Sequence, residues 1–214
     1  MSQKLHDYRK SYQKGTLTEQ QAAVNPIEQF ALWFQEVAQA GGVDEVNAMT
    51  LSTVDAAGYP RGRVVLLKHF DARGFQFFTN YSSQKGRAIA ANPKVSLSFF
   101  WPNLERQVHI RGSAEKLTKE ESQAYFSQRP KGSQIGAIVS PQSEVIADRA
   151  SLEQTLLRLE KQYQTADVPI PDHWGGYLVQ PIEFEFWQGR ENRLHDRLRY
   201  RNVAQNWTIE RLAP

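Results

Sequence analysis

The spacing of apolar and polar positions changes along the chain, and each spacing predicts a type of element. After Asn25-Pro26, which suits a helix start, apolar side chains recur at helical intervals until Gly41-Gly42, so a capped helix is predicted there. From residue 48 to about residue 116, short alternating runs are separated by Gly-containing turns, which is typical of antiparallel strands. One of these strands is expected over residues 63–70, with a turn after it at residues 71–74. One short helix is expected within this region, at about residues 83–91.

The remaining part of the chain, nearly half of it, is predicted to be mostly helical before it returns to strands. Thr118 and Glu121 have the spacing of a capping box, and they open a predicted helix that runs to about residue 128. Further helices are expected at residues 133–139 and 149–163, and alternation resumes at residues 182–187. The longer helix is expected to have Leu152, Leu156, Leu157 and Leu159 near its buried side. The pattern therefore predicts a mainly β protein with peripheral α-helices, built as an antiparallel barrel or sandwich.

Length and composition narrow the class of protein. The chain has 214 residues, enough for one large domain with a real core, and we expect that domain to cover residues 25–214. It carries 26 Lys+Arg against 23 Asp+Glu without a block of like charge, so no nucleic-acid-binding arm is indicated. It has no cysteine, which excludes a disulfide framework. Its start lacks an apolar segment and no apolar run approaches membrane-spanning length, so a cytoplasmic protein without a membrane partner is expected.

Several common sites are absent from the sequence. It contains neither a GxGxxG nor a GxxxxGK[ST] motif, which disfavours a Rossmann domain and a P-loop. Its five histidines lack the close spacing of zinc ligands, so no metal site is expected.

Three groups of basic and hydroxylic residues remain as candidate anion sites. Arg63 and Lys68 lie at the two ends of one predicted strand, where a spacing of five places them on opposite faces and so predicts two different anions. Residues 79–85 contain Ser83 and Lys85 at a strand-to-helix junction, where backbone N–H groups bind phosphate well. Taken alone, the first group also fits an ordinary core strand with solvated ends, and for the second group a plain serine N-cap is favoured.

The third group consists of Tyr125, Arg129 and Ser133. Steps of four residues place them on one side if helical character continues past Pro130, and their hydroxyl and guanidinium groups suit a phosphate monoester. Without the other two groups, a helix end with solvated polar side chains is favoured. Together the groups predict a phosphorylated cofactor and a phosphorylated substrate.

A fourth candidate lies near the end of the chain. Arg193, His195 and Arg197 share one face if this segment is extended, and two guanidiniums beside an imidazole suit an anion and proton transfer. A solvated edge strand is about as well supported by this segment alone. The polar residues 1–24 similarly fit a frayed end better than a mobile flap when they are taken alone.

These motifs together resemble the pyridoxine (pyridoxamine) 5′-phosphate oxidase family. The resemblance rests on RVVLLK (63–68), FFTNYSSQK (77–85), ERQV (105–108), YFSQRPKGSQIGA (125–137), VSPQS (139–143), WGGY (174–177), FWQG (186–189), NRLHDR (192–197) and ERLAP (210–214). They keep the family order and cover nearly the whole chain after the first helix.

The resemblance implies a split β-barrel of the FMN-binding type, a homodimer with FMN at the subunit interface, and an oxidase of phosphorylated B6 vitamers. The hypothesis is that pyridoxine or pyridoxamine 5′-phosphate becomes pyridoxal 5′-phosphate, with dioxygen as acceptor and hydrogen peroxide as product, by hydride transfer from C4′ to flavin N5. The resemblance also favours the interpretation of residues 1–24 as a mobile flap that closes over the substrate.

The resemblance assigns site residues one by one. Cofactor contacts are expected from Arg63, Val64, Val65, Leu66, Leu67, Lys68, Phe78, Thr79, Gln84, Lys85, Gln107, Gln142, Ser143, Trp187 and Arg197. Substrate contacts are expected from Arg9, Lys10, Ser11, Tyr12, Lys68, Tyr125, Arg129, Ser133, Arg193, Leu194 and His195, of which Arg193 and His195 are the catalytic candidates. Gln84 departs from the family, which usually has Arg there, so weaker binding of the FMN phosphate is expected.

Two other classes of protein stay open on the residues alone. A non-catalytic FMN- or haem-binding split barrel would share the fold. It would not need the predicted substrate-binding residues Tyr125, Arg129, Ser133, Arg193 and His195 together. A nucleic-acid-binding β-barrel would line one open face with cations and aromatic rings. A flavoprotein is yellow, and its bleaching by substrate without oxygen distinguishes the oxidase from both.

Overall fold

The computed structural model describes residues 4, 6, 8, 10–204 and 206–214. Its helices are α1 Pro26–Ala40, α2 Gln84–Ala91, α3 Lys119–Gln128, α4 Lys131–Val139 and α5 Arg149–Gln162. Its strands are β1 Ala48–Val54, β2 Pro60–Leu66, β3 His69–Asp71, β4 Gly74–Asn80, β5 Lys94–Trp101, β6 Arg106–Lys116, β7 Trp174–Gln188, β8 Asp196–Val203 and β9 Asn206–Arg211. Within the described ranges, each helix is too short or too polar to span a lipid bilayer.

The strands form one nine-stranded sheet in the order β2-β1-β5-β6-β7-β4-β3, with β8 paired to β7 and β9 paired to β8. The long strand β7 has two antiparallel partners along its length. Its first part pairs with β4, with Phe77 opposite Tyr177, and its last part pairs with β8, with Trp187 opposite Arg197. This register fixes which side chains of the last strands share a face.

Two compact units divide the chain. The terminal unit comprises Met1–Thr50, Ser96–Gly112 and Pro181–Pro214, and the central unit comprises Leu51–Val95 and Ser113–Gln180. One domain over residues 25–214, with a flexible segment before it, stays a prediction.

The core of the terminal unit is mainly aromatic. Phe30 and Trp33 project from α1 and meet strand residues, with ring centroids 5.0 Å apart for Phe30 and Phe99 and 5.3 Å apart for Trp33 and Phe186. Phe186 in turn lies 5.4 Å from Tyr200. Because these rings are almost completely buried, they contribute a large hydrophobic stabilisation and fix the end of β7.

The central unit has its own cluster under helices α3, α4 and α5. Phe126, Ile135, Leu159, Val168 and Trp174 are buried together there. The Phe126 and Trp174 ring centroids are 5.1 Å apart, which ties the end of α3 to the start of β7. The helix end that carries Arg129 is therefore held by packing.

Most predicted elements are confirmed, including the Asn25 cap of α1 and the capping box of Thr118 and Glu121. Two expectations are wrong. The predicted strand over residues 63–70 breaks after Leu66 and resumes at His69. Leu157 is 66% exposed, because it lies on the outer side of α5.

Candidate active site

A cavity of about 650 Å³ in the central unit gathers most of the predicted binding residues. We call it the cationic cavity, and its volume is in the range of small-molecule sites. Its predicted lining residues are Arg63, Val64, Val65, Leu66, Lys68, Phe78, Thr79, Lys85, Tyr125, Arg129, Ser133 and Gln142. The sequence did not single out its other lining residues, which are Asn80, Pro130, Gly136, Ala137, Ser140 and Trp174.

Arg63 on β2 reaches the cavity with only neutral partners. Its Nη1 donates to the Thr53 hydroxyl at 2.8 Å and to the Leu51 carbonyl at 3.1 Å. Burial lowers the pKa of the Arg63 guanidinium, with a smaller effect from the charge of Arg61. These contacts orient the guanidinium and leave its charge uncompensated.

Lys85 lies in the first turn of α2 and is similarly uncompensated. Its Nζ donates to Gln142 Oε1 at 3.0 Å and to Thr79 Oγ1 at 3.2 Å. Burial lowers the pKa of Lys85, and the neighbouring charge of Arg63 lowers it further. Ser83 is a plain buried N-cap for α2, whose hydroxyl accepts from the Gly86 N–H, and it does not line the cavity.

Arg129 supplies the clearest unsatisfied group. It caps α3, leaves the helix at ψ 147°, and places its guanidinium 4.6 Å from the ring centroid of Trp174. Its Nη1 is buried, and no described residue accepts a hydrogen bond from it. Burial lowers the pKa of this guanidinium. A buried donor without an acceptor is costly, so this position suits an anionic ligand.

Tyr125 and Ser133 line the cavity together with Arg129, as expected, but not on one continuous helix. Helix α3 ends at Gln128 and α4 begins at Lys131, so the segment turns between them. The Tyr125 ring stacks on Phe78 with centroids 3.9 Å apart, and Ser133 is exposed in the first turn of α4. The three residues therefore converge by packing of two short helices.

The expectation that Arg63 and Lys68 lie on opposite faces is wrong. Strand β2 ends at Leu66, and the Lys68 N–H then donates to the Gln76 carbonyl of β4 at 2.9 Å. Because the chain turns here, both cations line the cationic cavity, whereas Leu67 is buried away from it at 4% exposure.

The charge balance of the cationic cavity is one-sided. Its lining contains Arg63, Lys68, Lys85 and Arg129 and no Asp or Glu. In the described part of the chain, none of these four side chains forms an ion pair with a carboxylate. Four uncompensated cations with hydroxyl and amide neighbours are the donor set that phosphate esters prefer, so the cavity fits the phosphates of FMN and of a phosphorylated substrate.

A second cavity, of about 430 Å³, lies in the terminal unit and contains Gln107, Trp187 and Arg197. Arg197 is held on both sides, since its Nε donates to Glu185 at 2.8 Å and its Nη1 to the Ala213 carbonyl at 2.8 Å. The Glu185 carboxylate raises the pKa of Arg197. Its second arginine, Arg111, pairs with Glu183 at 3.2 Å, so unlike the cationic cavity this one compensates its arginines with carboxylates of its own lining.

His109 also lines the second cavity and was missed by the sequence reasoning. Burial lowers the pKa of His109, while Glu185 opposes this shift and Arg197 adds to it. Its position two residues after Gln107 on β6 was a usable signal, because alternate strand residues share a face.

His195 lies in a ring cluster with Tyr12 and Trp187. Its ring centroid is 4.6 Å from that of Trp187 and 5.8 Å from that of Tyr12. Its Nδ1 accepts the Arg190 N–H at 3.0 Å, so the neutral imidazole carries its hydrogen on Nε2. Burial and then the Arg193 charge lower the pKa of His195.

The expectation that Arg193, His195 and Arg197 share an extended face is wrong. Residues Glu191–Arg193 form a 3₁₀ turn, with left-handed φ values of 56° at Asn192 and 62° at Arg193. Strand β8 begins only at Asp196, so Arg197 alone of the three lies within a strand. Arg193 and the adjacent Leu194 are exposed.

The other predicted residues have varied positions. Arg9 lies outside the described residues. Lys10 pairs with Glu105, and Ser11 is exposed. Gln84 is exposed and does not line the cationic cavity, and Ser143 is exposed with φ 75° beside Gln142. Among the described residues, no group of three His, Asp or Glu side chains is placed to hold a metal ion.

Comparisons with known proteins match nearly the whole chain. The family model described as pyridoxamine 5′-phosphate oxidase matches residues 35–163, and the model described as the pyridoxine 5′-phosphate oxidase C-terminal dimerisation region matches residues 174–214. The pyridoxine/pyridoxamine 5′-phosphate oxidases of Flavobacterium johnsoniae and Bordetella avium are 55% and 56% identical to this chain, covering 98% of it and 98% and 99% of their own lengths.

Solved structures give the same fold. PhzG from Burkholderia lata 383, in complex with tetrahydrophenazine-1-carboxylic acid, has a TM-score of 0.87 at 28% identity, covering 93% of this chain and 98% of its own. A pyridoxamine 5′-phosphate oxidase-related, FMN binding protein from Nostoc punctiforme has a TM-score of 0.70 at 16% identity, covering 90% of this chain and 100% of its own. The predicted FMN-binding split β-barrel is confirmed.

Proposed function

Because the chain belongs to the pyridoxamine 5′-phosphate oxidase family, we propose that it converts pyridoxine 5′-phosphate or pyridoxamine 5′-phosphate to pyridoxal 5′-phosphate, with dioxygen as acceptor and hydrogen peroxide as product. The amine substrate also consumes one water and releases ammonia. The protein is an oxidoreductase of B6 metabolism with FMN as its cofactor.

The observation that carries this proposal is the cationic cavity, in which Arg129 Nη1 is buried without an acceptor. A cavity that only held a neutral ring would leave three partly buried cations, Arg63, Lys85 and Arg129, without compensation, which is unfavourable. Bound phosphate esters would supply the missing acceptors and charge.

We assign two phosphates to different members of the cavity. Arg63 and Lys85 would hold the FMN phosphate, since they are neighbours whose charges interact. The substrate phosphate would be bound by Lys68, Tyr125, Arg129 and Ser133. Four contacts to one phosphate fix the orientation of the substrate ring, and orientation of this kind lowers a reaction barrier by several kcal/mol.

The flavin ring and ribityl chain would be contacted by the remaining predicted cofactor residues except Leu67 and Gln84, which do not line the cationic cavity. These are Val64, Val65, Leu66, Lys68, Phe78, Thr79, Gln107, Gln142, Ser143, Trp187 and Arg197. When bound, FMN supplies the redox step, as the acceptor of a hydride from the substrate C4′ carbon at flavin N5 and as the donor of electrons to dioxygen.

His195 and Arg193 would act on the reacting substituent of the substrate. Because Nδ1 of His195 is occupied by the Arg190 N–H, the neutral ring offers Nε2–H as a donor to the substrate hydroxyl or amine. Arg193 is the neighbouring permanent charge, and it would cover the pyridine ring and stabilise electron-rich forms of it. Tyr12 would close the same site from the N-terminal segment.

We also propose a homodimer with FMN at the subunit interface, and a cytoplasmic location. The C-terminal match to a dimerisation region supports the homodimer. A non-catalytic FMN-binding protein is not favoured, because full-length relatives at 55% and 56% identity are named as oxidases.

The deciding experiment follows the flavin spectrum. We expect the purified yellow protein to be bleached by pyridoxine 5′-phosphate without oxygen, and to regain its colour in air with release of hydrogen peroxide. Pyridoxine without its phosphate is the matched control and should bleach it far more slowly. If the flavin stays oxidised with both pyridoxine 5′-phosphate and pyridoxamine 5′-phosphate, that result would contradict the proposal and favour a non-catalytic FMN-binding protein.

A further inference from the structure

Glu105 has a set of contacts that the proposed chemistry does not use. This residue is 3% exposed, and its Oε2 accepts the backbone N–H groups of Gln13 at 2.8 Å and Lys14 at 3.0 Å. The Lys10 ammonium lies 3.5 Å from Oε1. All three donors come from one short piece of the N-terminal segment, residues 10–14, whose side chains also bond to Glu191 and to the Asn103 carbonyl. Glu105 is the buried carboxylate that holds the backbone of this piece.

The carboxylate is well matched to these donors. Burial alone would raise the pKa of Glu105, but the N–H groups of Lys14 and Gln13 and the Lys10 ammonium outweigh burial and hold that pKa below its usual value. Glu105 also keeps a left-handed backbone with φ 56°, a conformation that glycine adopts at lower cost. A side chain at this position therefore has a use that offsets the backbone cost.

Two glycines allow the segment to lie this close. A Cβ atom on Gly189 would stand 2.8 Å from Cγ of Tyr12 and 3.1 Å from Cβ of Glu105, and one on Gly15 would stand 2.8 Å from Oε1 of Gln188. Real Cβ atoms rarely approach other atoms so closely. The end of β7 is thus shaped to receive Tyr12 and the residues after it.

The result of this packing is the position of one ring. Tyr12 lies between the Lys10 contact and the Gln13 contact, and its ring centroid is 5.8 Å from those of Trp187 and His195. Both partners belong to the predicted site, one as a cofactor contact and one as a catalytic candidate. The carboxylate is not a contact of that ring, so its effect on the site would be indirect.

We propose that Glu105 is a positioning residue, whose carboxylate anchors residues 10–14 and thereby places Tyr12 against His195. This inference rests on the proposed function for its kinetic consequence, but the anchoring itself is independent of it. Glu105 acts on how well the closed site holds the substrate, and not on the binding of FMN or on the chemical step.

The first test compares Glu105→Ala and Glu105→Gln with Glu36→Gln. The Glu36 carboxylate pairs with Arg106 in the same unit and has no contact with residues 10–14, so it controls for loss of a carboxylate. We expect Glu105→Ala to raise KM for pyridoxine 5′-phosphate by about tenfold, since bonds to a charged acceptor are lost, with kcat and flavin content at the wild-type level. Glu105→Gln keeps an acceptor oxygen for the N–H groups of Gln13 and Lys14. Its KM should therefore lie between those of the wild type and Glu105→Ala.

The second test asks whether Glu105 acts through Tyr12. If it does, the double variant Tyr12→Ala with Glu105→Ala should have the KM of Tyr12→Ala alone, because the effects of coupled residues do not multiply. Independent effects that multiply would overturn the proposal, as would a Glu105→Ala enzyme with unchanged KM or one that loses its flavin.

A third measurement does not depend on activity. Trypsin should cleave after Lys10 and Lys14 faster in folded Glu105→Ala and Glu105→Gln than in the wild type and in Glu36→Gln. Equal cleavage would refute the anchoring even if the enzyme is an oxidase. Faster cleavage in a protein that never oxidises pyridoxine 5′-phosphate would refute the proposed function and leave the anchoring intact.

Discussion

The cationic cavity of the central unit and the end of the chain in the terminal unit treat their cations in opposite ways. In the cationic cavity of the central unit, Arg63 and Lys85 bond only to hydroxyl, carbonyl and amide oxygens, and Arg129 Nη1 has no acceptor among the described residues. In the terminal unit, carboxylates compensate the arginines near the end of the chain. Arg197 meets Glu185 at 2.8 Å, and Asp196 meets Arg190 at 3.2 Å and Arg211 at 2.9 Å.

This difference separates binding from positioning. An uncompensated, partly buried cation gains most from an incoming anion, so the central unit is built to bind phosphate. A cation that already has a carboxylate partner gains less, but its side chain is oriented by that partner. We therefore expect the terminal unit to place rings and N–H donors, while the central unit supplies the charge that binds ligands.

The substitution Gln142→Glu should remove the difference between the two regions most directly, because it gives the cationic cavity a carboxylate. The new charge would lie where Oε1 of Gln142 is now, 3.0 Å from Lys85 Nζ, and it would pair with that cation and repel the FMN phosphate. We expect FMN affinity to fall roughly 100-fold or more, since like charges about 4 Å apart near a protein surface cost about 4 kcal/mol. Titration of the apoprotein with FMN measures this.

The matched control for that prediction is Gln128→Glu, which makes the same change at an exposed residue outside the cavity. It should bind FMN as the wild type does. Equal affinity of Gln142→Glu and the wild type would show that Lys85 does not hold the flavin phosphate.

Arg129→Ala removes the cation with the unsatisfied buried donor. A hydrogen bond between charged groups contributes about 1.5–3 kcal/mol, so KM for pyridoxine 5′-phosphate should rise roughly 10- to 150-fold while FMN stays bound. Lys131→Ala, an exposed cation two residues further on, should leave KM unchanged. Steady-state kinetics with flavin quantification decides, and a normal KM would exclude Arg129 from the phosphate site.

In the terminal unit, acid should remove activity through His195. Because the pKa of His195 is lowered from 6.5, the imidazole is neutral at pH 7, and it gains a proton only as pH falls below that range. Protonation of Nδ1 would then oppose the Arg190 N–H. We expect kcat/KM to fall by up to roughly tenfold per pH unit below this lowered pKa, as for a single titration.

The substrate phosphate, with its second pKa near 6, titrates in the same region and needs a control. His195→Gln should lose the part of the acid limb that belongs to the imidazole and keep the part that belongs to the phosphate. If kcat/KM depends on pH in the same way in the wild type and in His195→Gln, titration of His195 has no role in the acid limb. This holds whether or not the variant is less active overall.

The smallest effect is expected from Glu185→Gln, which makes Arg197 resemble the cations of the central unit. The pair is partly exposed, with 29% of the Arg197 and 21% of the Glu185 side chain accessible, so its loss should cost at most about 1 kcal/mol in the free energy of unfolding. Urea denaturation measures that cost. A stability loss of several kcal/mol would mean that the pair is structural and not chiefly a positioning device.

The elements that the sequence predicted well are those with local causes. The Asn25 cap, the capping box at Thr118 and the turn at residues 71–74 depend on neighbours in the chain, and they appear where the pattern places them. Leu157 shows the limit, because a leucine near the apolar stripe of a helix can still face outward when the helix packs on a narrow cluster.

The site predictions failed where they assumed regular backbone over several residues. Lys68 shares a cavity with Arg63 because β2 stops at Leu66, and periodicity does not reveal where pairing with a partner strand ends. Arg193 and His195 leave the extended face because Asn192 and Arg193 adopt left-handed backbone, which non-glycine residues rarely do.

The sequence by itself determined the fold class, the family, the residue types of the anion sites and most element boundaries, because these follow from periodicity, capping chemistry and motif order. Only the tertiary structure decided which cations lack a carboxylate, that Arg129 keeps a buried donor unsatisfied, and that Glu105 holds residues 10–14. The physical reason is that compensation of a charge and satisfaction of a donor depend on residues far apart in the chain, and their meeting is set by packing.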